Sequence, residues 1–131
     1  MNAMLVLRIA VAITLLAHSI PVMLNNGVND FGNLYLNQIG FAPFGLVIAW
    51  SIKVSHVVCA VLFIINRYIN LASFVTLFVL IAGIIMIHFK EGWFVVGLGR
   101  NGMEFNFLLI CIIISIIVEE RNHKRIAKGI A

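Results

Sequence analysis

PFGLVIAWSIKVSHVVCAVLFII, residues Pro43–Ile65, is apolar along its whole length apart from small serines and a lysine–histidine pair, Lys53 and His56, near its centre. A helix rising about 1.5 Å per residue over this stretch crosses a hydrocarbon layer roughly 30 Å thick. It has no polar face with which to lie on a soluble core. Three more stretches read the same way: Met4–Leu24, Leu71–His88 and Met103–Val118. The last two are short and need flanking residues to complete a span. Hydrophobic residues make up 63% of the 131 and charged residues 11%, more apolar surface than a soluble domain of this size needs. Helices satisfy their own backbone groups, which makes them the default in lipid. Runs such as Ile81–Ile87 and Leu108–Ile117 do not alternate, which excludes a β-barrel. The predicted fold is all-α, one domain over 1–131: a transmembrane four-helix bundle with helices at about 4–24, 43–65, 71–88 and 103–118.

The N-terminus has some features of a cleavable signal: Arg8, the apolar run Ile9–Ala17, and small residues at Ala17 and Ser19. The apolar run continues through Ile20–Leu24, so a retained helix is expected. Lys and Arg mark the cytoplasmic side. Arg121, Lys124, Arg125 and Lys128 lie in the tail and Arg67 lies in the short loop between the second and third helices, whereas 25–42 has neither residue type. Both termini are therefore expected inside, and the basic tail is placed to touch anionic lipid at about 1 kcal/mol per charge.

The first outer loop predicts a short interfacial helix capped by Asp30, with Phe31, Leu34, Tyr35 and Ile39 on one face. The second, with Gly92, Trp93, Gly97, Gly99 and Gly102, reads as a compact turn. Asn101 followed by Glu104 has the spacing of a capping box.

Charge is costly in a bilayer, and ionisable residues there usually face a bundle interior or a polar cavity. Arg8, near the inner end, is explained by snorkelling. His18 sits in the outer half of the first helix, where Pro21 deprives the Ala17 carbonyl of its donor. Lys53 and His56 are one turn apart and share a face. His88 ends the third helix and Glu104 opens the fourth. The candidate polar pocket is therefore His18, Lys53, His56, His88 and Glu104 in the outer half, with a Lys53–Glu104 ion pair as its simplest internal link. Cys59 and Cys111 share a depth, and each reads as a small apolar filler. No HxxxH or CxxC spacing is present, so no metal is expected. No nucleotide loop or nucleophile elbow appears, and nothing points to nucleic acid.

Several of these positions form a wider pattern. Leu7-Arg8 is followed, after an apolar gap, by His18-Ser19. Arg67 closes the second helix. His88 is followed by Gly92-Trp93-Phe94, a glycine-rich patch from Gly97 to Gly102, and Glu104-Phe105. In this the chain resembles the DoxX family of small four-helix bacterial membrane proteins, over nearly its whole length. It departs from the family in two ways: serine replaces a glycine at Ser19, and Lys53, with His56 and Val57, stands where the family often has Glu followed by Gly-Gly. The resemblance implies the bacterial inner membrane and a link to quinone-dependent redox systems, with the outer pocket holding a quinone headgroup. The competing expectation is a non-catalytic assembly subunit of a larger membrane complex. Expected partners are the bilayer, a larger complex or a second copy of the chain.

Overall fold

The computed structural model describes residues 3–97, 100–127 and 129, which form helices and turns with no strand. Helix α1 is Ala3–Leu24. A short helix α2, Gly27–Asp30, widens into a π-helical stretch, Phe31–Phe41, broken at Gly40, whose φ is 111°. Helix α3 is Gly45–Ile64. Helix α4, Ile69–Gly83, continues as a π-helical turn, Ile84–His88, and a last turn, Phe89–Glu91. Helix α5 is Glu104–Ala127.

Three helices are long and apolar enough to cross a membrane: Ala3–Leu24, Gly45–Ile64 and Ile69–Glu91. Helix α5 is not among them. Its largely apolar part, Phe105–Val118, rises about 21 Å before Glu119, Glu120 and Arg121, and the helix then runs on through this charged segment.

Around the molecule, α1 packs on α3, α3 on α4, α4 on α5, and α5 back on α1. The buried stripes follow helical spacing: Val11, Ala12, Leu15 and Ser19 on α1; Ala49, Lys53, His56, Ala60 and Phe63 on α3; Ile69, Ala72, Ser73, Thr76 and Leu80 on α4. Several of these residues are small. Lipid tails are as apolar as leucine, so helices in a membrane associate through close packing, which small residues permit. The turn between α3 and α4 closes by a Schellman pattern: Arg67 N–H donates to the Leu62 carbonyl at 3.2 Å, with Asn66 left-handed at φ 56°.

The α2/π-helical segment covers one end of this arrangement. Its buried residues are Val28, Gly32 and Leu36, packed with Ala49 of α3. The predicted interfacial helix therefore exists, but with another start and another face. It begins at Gly27, and Asp30 is exposed and makes no capping bond. Leu34 and Ile39 point away from the packed side. A π-helix repeats closer to every fourth residue, so the stripe 28–32–36 replaces the one that α-helical spacing predicts. Three side-chain bonds pin the segment: Trp50 Nε1–H to Asn29 Oδ1 at 2.8 Å, Gly45 N–H to Asn37 Oδ1 at 3.0 Å, and Tyr35 O–H to the Met86 carbonyl at 3.3 Å.

Gly32 and Gly45 permit the crossing itself. A Cβ at Gly45 would lie 2.3 Å from the Gly32 carbonyl oxygen, and one at Gly32 would lie 2.6 Å from Leu46 Cα. Both obstacles are backbone. Gly45→Ala is expected to destabilise the chain by about 1–3 kcal/mol, read as a lower unfolding midpoint in mild detergent. Gly83→Ala, whose nearest neighbour would be 3.5 Å away, is expected to leave the midpoint unchanged or raise it.

Candidate functional site

Where α1 and α3 cross, their buried stripes turn polar. Lys53 and His56 lie on the inner face of α3 and are 8% and 4% exposed, and Ser19 of α1 is fully buried against them. The Ser19 hydroxyl and His56 Nδ1 are 3.3 Å apart. Lys53 Nζ donates to the backbone carbonyl of His18 at 3.4 Å. The His18 and His56 rings lie 6.0 Å apart between centroids, tilted by 50°. His18 is the exposed member of the group and His56 the deep one. This registry fixes α1 and α3 as antiparallel, because at the far end Arg8 Nη1 donates to Asn66 Oδ1.

The cluster is under-satisfied. His56 Nε2 is buried with no hydrogen-bond partner. An ammonium carries three donors, and here a single long bond to a neutral oxygen is the only hydrogen bond it makes among the described residues. A lysine near a helix centre costs about 2.5–3.5 kcal/mol to insert, and a buried imidazole nitrogen left unbonded costs roughly 1–3 kcal/mol more. A bond of 3.4 Å offsets little of that.

The other predicted members go elsewhere. Glu104 does not pair with Lys53. Its Oε1 accepts from the backbone N–H groups of Val95 and Val96 at 2.8 and 2.7 Å. The reason is topological: α3 and α5 sit on a diagonal, each packed on α1 and α4, while the loop amides lie beside the first turn of α5. The expected capping box with Asn101 is also replaced. The helix begins at Glu104, whose N–H donates to the Trp93 carbonyl at 3.0 Å. His88 Nδ1 donates to the Asn101 carbonyl at 2.7 Å, so that nitrogen carries the proton. His88 is thus tied to the turn, though it and Lys53 both lie within Coulombic reach of His18. The turn folds back on itself, with Met103 N–H bonded to the Gly92 carbonyl at 3.1 Å. A Cβ at Gly102 would meet the Phe94 and Trp93 carbonyls at 2.5 Å, so glycine is required there. Gly99 lies outside the described residues.

At the opposite end, Arg67 approaches the Tyr68 ring, 6.0 Å from its centroid. Arg121, Lys124 and Arg125 are exposed on the last turns of α5, and Lys124 pairs with Glu120 at 3.0 Å. Lys128 lies outside the described residues. Cys59 and Cys111 are separate thiols, one buried and one exposed. Among the described residues no three His, Cys, Asp or Glu side chains come together as metal ligands do.

Ser19 is the member that sequence reading missed. It was noted as a substitute for glycine, yet it continues the apolar stripe Val11–Leu15 by four residues, and a hydroxyl on such a stripe is a signal in itself. Comparison of the chain with protein-family models, with curated proteins and with solved structures finds no match in any of the three. The class defined by the fold is therefore an all-helical membrane protein with a donor-rich polar cluster between its first two long helices.

Two outcomes test this geometry. Glu104→Ala should speed amide hydrogen exchange at Val95 and Val96 by at least tenfold, since each loses a bond to a charged acceptor worth about 1.5–3 kcal/mol; Lys53→Leu should leave those amides unchanged. In a double-mutant cycle on unfolding stability, Lys53→Leu and Glu104→Ala should add to within about 0.5 kcal/mol.

Proposed function

We propose that the chain is a multi-pass protein of the bacterial inner membrane, related to DoxX, whose four long helices all enter the bilayer with both termini cytoplasmic. In this arrangement α5 spans with help from its flanking turn, and the α1–α3 cluster lies in the outer half. The protein supports a quinone-linked redox system by holding a quinone headgroup against His18, Lys53, His56 and Ser19. One observation carries this reading: the cluster presents donors without acceptors, in the form of an under-bonded ammonium and an unpartnered buried imidazole nitrogen. A quinone carbonyl is an acceptor on a lipid-soluble body, and a donor set between membrane helices complements it. His88 and Glu104 shape the outer turn that covers this end and do not touch the headgroup. Bound quinone would also relieve the cost of leaving His56 Nε2 unbonded.

The test is purification in mild detergent followed by extraction of lipid-soluble molecules. Quinone at close to one equivalent from the wild type, falling at least fivefold in His56→Leu, is the expected result. Absence of quinone, together with unchanged quinone reduction in membranes of a deletion strain, refutes the reading and favours an assembly subunit of a larger membrane complex.

A further inference from the structure

The chain has five Asp and Glu side chains, all among the described residues, and none of them pairs with Lys53. Asp30, Glu91 and Glu119 are exposed, Glu104 holds the Val95 and Val96 amides, and Glu120 pairs with Lys124. Around the Lys53 ammonium stand a serine hydroxyl, a carbonyl oxygen and two imidazoles, with a third imidazole, His88, within Coulombic reach of His18. Every ionisable group in this neighbourhood is basic. A neutral quinone oxygen takes hydrogen bonds but leaves the lysine charge unbalanced. A buried ion stripped of its counter-charge is strongly destabilising, so a cation at this depth is stabilised by any anion that reaches it.

We propose that the α1–α3 seam is a binding site for an oxyanion, a phosphate or carboxylate group held between Lys53 Nζ and His56 Nε2, with exposed His18 at the entrance. Two independent features point to it. One is the ammonium without a carboxylate. The other is the imidazole nitrogen, on a residue only 4% exposed and one turn further along the same face of α3, that lacks a partner. The first supplies charge and the second, in the tautomer whose Nδ1 accepts from the Ser19 hydroxyl, supplies a directed donor, the pairing by which oxyanions are recognised. Entry is lateral, because His18 is open to the surroundings of the helix pair while Lys53 and His56 are not. The anion has two possible sources: the headgroup of an acidic lipid, or free phosphate from the aqueous side. This inference rests on the charge and the directed donor together and stands independently of the quinone reading.

The experiment is thermal unfolding of the purified full chain in neutral detergent, with inorganic phosphate in one arm, phosphatidylglycerol in a second and phosphatidylcholine in a third. A ligand that binds only the folded state raises the midpoint by mass action. Phosphate or phosphatidylglycerol should raise it by several degrees and phosphatidylcholine should not. A response to phosphate identifies the free anion as a sufficient ligand, and a response to phosphatidylglycerol alone identifies the lipid headgroup. In Lys53→Gln the rise should fall by at least half. If that variant does not fold, His56→Gln, which keeps the lysine, carries the same expectation. The double variant Lys124→Gln/Arg125→Gln removes the far basic tail and should respond like the wild type. No rise with either anion, a rise undiminished in the site variants, or a rise lost in the tail variant overturns the proposal.

Discussion

The Lys53 ammonium, partway along an apolar helix, has to be solvated by the protein, because hydrocarbon does not do it. That requirement explains why the α1–α3 seam is polar where the rest of the interface is alanine, valine and leucine. Lysine faces inward because facing lipid is the costlier alternative. Ser19 and His56 lie on the same seam because a polar spot, once present, lowers the cost of neighbouring polar groups. The His18 carbonyl is available to Nζ on the flank of a helix that Pro21 has already perturbed, since Pro21 has no N–H to give Ala17. Each of these features follows from placing one cation between two helices.

The seam sets the packing of the rest of the molecule. Ala12, Ala49 and Ala60 are fully buried along or beside it, so α1 and α3 approach closely enough for a serine on one to meet a histidine on the other. The same economy operates at the covered end, where the Gly32–Gly45 crossing leaves no space for a side chain on either strand of the contact. The π-helical segment and α3 are held there by backbone proximity, and Asn37 then supplies an acceptor to the buried first amide of α3, Gly45 N–H. Close packing and hydrogen bonds to otherwise orphaned amides replace the hydrophobic driving force that a soluble protein would use.

Much of this was legible in the sequence. Apolar runs marked the first three long helices to within a few residues, because a run without a polar face has few other places to go, whereas the fourth continues past Val118 through charged residues to Ala127. Lys53 and His56 stood out on α3 because polar residues are rare there. Two things were not legible. The first was rotation: a π-helical turn inserts one extra residue and shifts every later side chain by about 100°, and nothing in Phe31–Phe41 or Ile84–His88 announces it as a proline would. That is why Val28, Gly32 and Leu36 face inward in place of Leu34 and Ile39. The second was neighbour order. Four groups from separate spans sharing a depth suggested one pocket, but depth carries no information about which helices touch. With α3 and α5 on a diagonal, Lys53 and Glu104 have no route to each other.

The segregation of charge has a consequence for the cluster. Glu104 is the one carboxylate at a helix start close to the polar end, and two backbone amides and a folded turn engage it. Its Oε1 accepts from two backbone N–H groups, which holds the side chain on the turn. The outer turn therefore does more than close the end of the molecule. It engages Glu104 locally, and with no carboxylate paired to Lys53 among the described residues, Lys53 and His56 keep their donors for an external acceptor.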